Sequence, residues 1–383
     1  MAFLRRISTR QLILLLAGVV AVVIGGTALA LAATSGGPKP PPKPLANAIH
    51  DALTGPSVTG VTAQIKFTNN LIDAANLEGS DPLLTGATGR LWAAPGGRFR
   101  LELQSASGQD AQVVSNGTSF WAYDPSSNTV YRGALPRHSN GADQKHGSEQ
   151  SPTVAKIQQA LGRLAQHVNL SGAQPDNIGG QEAYDVRVSP KQRGGLLAGA
   201  ALAFDAARGV PLRIGLFARG QSSPVLELSV TDISFGSVSS DALSIPPPRG
   251  AKTVDLSTTG HKQQAKGHKL PFKVSAPASL AGRKRSEVRL LGTDGALVTY
   301  GQGPGAIAVI EHAAKPRAVQ KPSGGEGDHR QGLNLPTVSI AGATGQELAT
   351  PLGTALTFDR GGVSYTVLGS VKPAAVLAVA RGL

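Results

Sequence analysis

In the stretch RFRLELQ (residues 98–104), Phe99, Leu101 and Leu103 alternate with Arg98, Arg100, Glu102 and Gln104. A period of two sends successive side chains to opposite faces, so this stretch predicts a strand with one buried side. The same alternation predicts strands at Val61, Ala63, Ile65 and Phe67, at Leu212, Ile214 and Leu216, and at Leu226, Leu228 and Val230. A helical period interrupts them. Val154, Ile157, Leu161, Leu164 and Val168 form one apolar stripe, with Ser151 as the expected N-cap, Pro152 at the first helical position and Gly172 near the expected stop. A shorter helix is expected from Leu45, Ile49 and Leu53.

VVSNGTSFWAYDPSSNTVYRG (113–133) holds three short β-rich runs broken at Asn116-Gly117 and at Asp124-Pro125. Asn-Gly favours positive φ and suits a two-residue hairpin turn, so the stretch predicts consecutive antiparallel strands. Further along, residues 288–291 and 296–300 flank Thr293-Asp294-Gly295 as a second hairpin, and 306–311 adds a strand. Residues 313–332 are polar and rich in Gly and Pro, which predicts a loop. Strands follow at 337–340, 355–358 and 363–368, and a last helix starts at Pro373 with Val376, Leu377 and Ala380 on its apolar face.

Residues 12–33 carry no charge and follow Arg5, Arg6 and Arg10. A run of that length spans a ~30 Å hydrocarbon core, and the preceding positive charge orients the rest of the chain outward. An uncleaved anchor is the favoured expectation. Cleavage at Ala28-Leu29-Ala30 or Ala30-Leu31-Ala32 is the alternative, and both export the remainder. The pattern thus divides the chain into an anchor or signal (1–33), a Pro-rich spacer (34–44), a main domain (45–256), a basic linker (257–269) and a smaller domain (270–383).

Composition narrows the chemistry. The 383 residues are 40% hydrophobic and 16% charged, with 48 Gly, 26 Pro and few aromatics, which fits a β-rich folded chain. The absence of cysteine excludes disulfides, thiol catalysis and cysteinate metal sites. A net charge of +13 without aromatic interleaving or a DNA-binding signature gives no nucleic-acid partner and leaves anionic lipid headgroups or wall polymers as the alternative to a solvated exterior. His261 and His268 stand in the polar linker with no carboxylate nearby and read as solvated. No serine-nucleophile elbow, zinc helix or phosphate loop is present. Gly301, Gly303 and Gly305 lead into a strand, not the helix a dinucleotide loop requires. Asp185, Asp205 and Asp232 show no pairing. No cofactor is implied, and catalysis is not expected.

Five segments, in order, resemble the LolA-like superfamily of lipoprotein carriers, mycobacterial lipid-binding lipoproteins and RseB-type sensors. VVSNGTSFWAYDP is similar to its "S-D-G-x-x-x-W-x-Y-D-P" signature, and APGGRFRLEL (94–103) to its Pro-x-x-Phe-Arg strand. GGQEAYDVRVSPK (179–191), LAFDAARGVPLRIGLF (202–217) and ALSIPPPRGAKTVDL (242–256) are similar to its later strands, hairpin and closing segment. Ala94 stands where carriers have a basic residue, which weighs against lipoprotein hand-off. NNLIDAANLEGSDPLLTG (69–86) reads as an insert, a lid or edge loop. The ending GGVSYTVLGSVKPAAVLAVARGL (361–383) is similar to that of a small extracytoplasmic domain found behind anti-sigma or LolA-like modules.

The resemblance implies a mainly β fold with α (α+β): an incomplete antiparallel β-barrel wrapped over helices, followed by a smaller α+β domain. It implies an apolar wall holding a lipid or acylated ligand, for which Val61, Ile65, Phe67, Phe99, Leu101, Leu103, Leu212, Leu216, Leu226 and Leu228 are the candidate residues. The implied partners are that lipid, the membrane through the N-terminal helix, and an anti-sigma or other envelope protein if the role is RseB-like regulation. A scaffold with fully packed faces and no ligand is the third expectation.

Overall fold

The computed structural model describes residues 37–72, 82–104, 110–135, 152–192, 194–256, 270–291, 295–314 and 335–383. The expected anchor lies outside these residues, as do His261 and His268. Among the described residues no helix is long and apolar enough to cross a membrane.

The main domain is one curled sheet. β1 (Val61–Asn69), β2 (Ala87–Ala94), β3 (Arg98–Gln104), β4 (Asp110–Asn116), β5 (Ser119–Asp124) and β6 (Thr129–Ala134) form an antiparallel meander. The chain then enters β7 (Val168–Leu170), β8 (Gln174–Ile178), β9 (Gln181–Pro190), β10 (Leu197–Asp205), β11 (Pro211–Ala218) and β12 (Leu226–Phe235), and β12 closes back beside β1. The predicted hairpins at 113–133 are present as β4, β5 and β6. In the β5–β6 turn Asn128 takes positive φ, at 44°, and in the β4–β5 turn Gly117 does, at 92°. Asn116 instead caps the turn, its Oδ1 accepting from the backbone N–H of Thr118 and Ser119 at 3.0 and 2.8 Å.

The antiparallel expectation fails at one edge. β13 (Lys252–Asp255) pairs with β6 in parallel. The cause is topological: β12 lies beside β1 in mid-sheet while β13 lies at the far edge, so the connection crosses the intervening strands. It does so through α4 (Ser240–Leu243), which packs on β2, β3 and β4, with Ser239 as its cap.

Among the described residues, three helices precede α4. α1 (Leu45–Thr54) places Ala48 and Ile49 against Tyr184, Val186 and Phe204. α2 (Pro82–Thr85) drives Leu83 into the core. α3 (Val154–Leu164) is shorter than its stripe predicted: Val168 belongs to β7, and Leu164 is exposed. Its cap is Thr153, whose Oγ1 accepts from the Lys156 N–H, rather than Ser151, which is outside the described residues. It packs on α1 and buries Ile157 alone. The Pro-rich segment, expected as a spacer, is docked from residue 37 onward: Asn177 donates to the Pro38 carbonyl at 2.8 Å and the Tyr184 hydroxyl to the Pro41 carbonyl at 2.6 Å.

The smaller domain is an eight-stranded sheet of order β14-β15-β16-β17-β21-β20-β19-β18. Its strands are β14 (Ser279–Leu280), β15 (Arg283–Leu291), β16 (Gly295–Tyr300), β17 (Ile307–Ala313), β18 (Thr337–Ile340), β19 (Ala343–Thr350), β20 (Gly353–Arg360) and β21 (Val363–Gly369). α5 (Pro373–Gly382) buries Val376, Val379 and Ala380 in a core with Tyr300, Ile307, Leu356 and Val367. The domains meet backbone to backbone. Ser370 accepts the Leu196 N–H on its carbonyl at 2.7 Å, and its Oγ lies 3.1 Å from both the Leu196 and Leu197 nitrogens.

Candidate functional site

Strand register decides which side chains share a surface. Val61, Ala63, Ile65 and Phe67 stand opposite Ala93, Leu91, Gly89 and Ala87 of β2, which in turn face Phe99, Leu101 and Leu103 of β3. Across the other edge of β1, Phe67 pairs with Leu228 and Ile65 with Val230. Leu226 and Leu228 pair with Leu216 and Ile214, and Leu212 follows two residues away on the same side. All ten predicted wall residues therefore lie on one face of one sheet. Eight are buried, while Leu216 and Leu228 are half-buried beside the half-buried Leu71, Ala87 and Ile214.

Register also extends this face beyond the predicted residues. Val113, Ala122, Phe120 and Tyr131 join the same core. Their signal was available in the alternation of β4 and β5, within the stretch that the turn residues dominate.

A second feature lies on the opposite side. Beneath the crossing segment that carries α4 is a cleft of about 640 Å³. Val114, Trp121, Leu243 and Ile245 supply its apolar surface, with Arg98 and Arg132 among its polar lining. Sequence patterning does not reveal it, because the segment 240–251 reaches β3–β6 only through the topology.

A third feature is a buried charge cluster. Arg213 Nη2 lies 3.2 Å from Asp176 and 3.5 Å from Asp185, and the three side chains are 3%, 2% and 0% exposed. Burial pushes the Asp185 carboxyl up to about 8; Arg213 opposes the shift and Asp176 adds to it. Burial also raises Glu227, against the pull of Arg213 and Lys66. Thus Asp185, unpaired in the sequence, has a partner 28 positions away. Asp205 caps a turn, accepting from the Ala207 and Arg208 N–H groups at 3.0 and 2.6 Å. Asp232 pairs with Gln64 across β1 and β12 and is exposed, so the three aspartates do not converge.

No family model matches the chain, and no curated protein matches it. Among solved structures, it is similar to MucB in complex with MucA(peri), at 15% identity over 88% of this chain and 97% of that one, with a TM-score of 0.42. It is similar to the MucA/MucB complex of Pseudomonas aeruginosa at 16% identity, over 88% and 96% of the two chains, with a TM-score of 0.41. A LolA superfamily protein from Nitrosomonas europaea is 8% identical over 53% of this chain and 98% of that one, with a TM-score of 0.24. Each of these likenesses is distant.

Proposed function

We propose that this chain is an exported protein of the cell envelope that holds a lipid or acyl chain against the apolar face of its half-barrel, tethered to the membrane by residues 12–33. The observation that carries the proposal is the single continuous face. Ten apolar positions named from the sequence share it, and at Leu216, Leu228, Ile214 and Ala87 it is only half-covered. Each methylene taken from water there contributes about 0.8 kcal/mol, so an alkyl chain is held without polar recognition. The motif resemblance supports the same reading.

Native mass spectrometry of the chain purified from a membrane-containing host tests it. The expected result is a lipid-sized adduct that Leu228→Arg removes while the protein stays folded. Bare protein alone, with no uptake of a fluorescent fatty acid, would count decisively against it.

A second reading, an RseB-like regulator acting on an anti-sigma factor, is favoured by the hydrogen-bonded junction at Ser370. A junction in which the Ser370 carbonyl and hydroxyl meet two backbone N–H groups gives the smaller domain a fixed register on the larger one, which a signal between them needs.

A further inference from the structure

β15 is unlike every other long strand among the described residues. Residues 284–290 are all exposed, although β16 beside them is largely buried. Of the four large apolar side chains that are exposed among the described residues, two are here: Val288 at 47% and Leu290 at 44%. They are not on an outer face. Val288 pairs with Val298 and Leu290 with Ala296, both fully buried in the core of the smaller domain. The inner apolar surface therefore runs on past the reach of α5, which packs on β14, β18, β20 and β21.

The far edge of this strand is also open. β14 covers it only at Arg283 and Lys284, and among the described residues no strand pairs with 286–291 on that side. Unpaired backbone groups on an exposed edge are a template for another strand, and proteins usually blunt such edges. Here the charge is one-sided: Arg283, Lys284, Arg285 and Arg289 stand against Glu287 alone, leaving +3 on nine residues. Arg289 is 62% exposed and lies 3.9 Å from Glu287.

We propose that residues 286–291 of β15 dock an extended segment of a partner protein, a strand with apolar side chains on one face and carboxylates on the other. Pairing to the edge satisfies the open amides. The apolar side chains of the guest continue the core beside Val288 and Leu290, and its carboxylates meet Arg289 on the other face. A second copy of this chain fits poorly, because two such strands side by side bring like charges together. A lipid headgroup matches the charge but leaves the backbone edge unpaired.

The test uses the full chain and the acetylated, amidated peptide Glu-Val-Glu-Val-Glu-Val, read by amide hydrogen exchange and by fluorescence anisotropy. The expected result is slowed exchange confined to residues 286–291, with binding that weakens about tenfold as salt screens the charges. N-methylation of alternate peptide amides, replacement of its glutamates by lysine, and the double variant Val288→Ser with Arg289→Glu are each expected to abolish the protection. These two side chains are exposed, so the variant retains its melting temperature. No protection at β15, or equal binding of the N-methylated peptide, overturns the proposal. So does protection that rises with protein concentration alone, which marks a self-association edge. Protection given only by phosphatidylglycerol vesicles marks a membrane contact and overturns it too. None of these outcomes depends on the lipid reading, whose adduct is measured separately.

Discussion

Asp185 sits on β9 with no exposure, between an arginine that favours its charge and a solvent-free environment that opposes it. Burial wins, and the folded carboxyl titrates near 8 rather than near 4. Between those two values the folded protein holds a proton that the unfolded chain has released. The contribution of this group to stability is therefore present at low pH and is lost as pH rises through about 8, at up to about 1.4 kcal/mol per pH unit. Thermal unfolding followed from about pH 5 to pH 8 is expected to show a falling melting temperature, and Asp185→Asn to flatten that slope. A variant with the same slope as the parent would place the titration elsewhere. The partnership with Arg213 was not legible in the sequence. The two residues are 28 apart, and only the pairing of β9, β10 and β11 sets Asp185, Ala203 and Arg213 in one row.

At the scale of single elements, alternation located most strands, and turn chemistry located the hairpins. The β4–β5 turn shows what the dipeptide signal contains. Asn116 acts through its side chain, and Gly117 is required twice, by a φ of 92° and by a neighbour: a Cβ there would lie 2.1 Å from the Gly96 carbonyl oxygen. Gly96 also has positive φ, at 82°, but a Cβ there meets nothing within 4 Å. Gly96→Ala is thus expected to cost about 1 kcal/mol from backbone strain, and Gly117→Ala clearly more. Urea midpoints of the two variants check the order, and equal losses would mean that the turn-to-turn approach relaxes freely. α3 is the opposite lesson. Its apolar stripe reads as helix through Val168, yet the chain leaves the helix at Leu164 because Val168, Asn169 and Leu170 pair with Pro190, Ser189 and Val188. A stripe cannot report where a sheet edge will claim the next residues.

For the molecule as a whole, the junction between domains rests on glycines that looked like a failed nucleotide loop. A Cβ at Gly195 would lie 2.6 Å from the Pro304 oxygen, and one at Gly305 would lie 2.7 Å from the Gly194 oxygen. Two backbones touch there, which explains the Gly-rich sequence on both sides without any phosphate. Gly195→Val with Ser370→Ala is expected to separate the domains into two unfolding transitions and to add flexibility visible in small-angle scattering. A single unchanged transition would show that the junction is not what couples them. The same scale decides the route of the segment 240–251, and with it the cleft under α4 and the parallel pairing of β13 with β6.

Local order was written in the sequence, because periodicity, capping and turn propensity act between neighbours. The ten wall residues could be named, since alternation assigns a face to each strand by itself. That these faces form one surface, half-covered near Leu216 and Leu228, was decided by register between strands that lie far apart in the chain. The buried Arg213 cluster, the glycine junction and the open edge of β15 have the same origin. Each depends on which strand stands beside which, and pairing between distant segments is a long-range choice that no local pattern encodes.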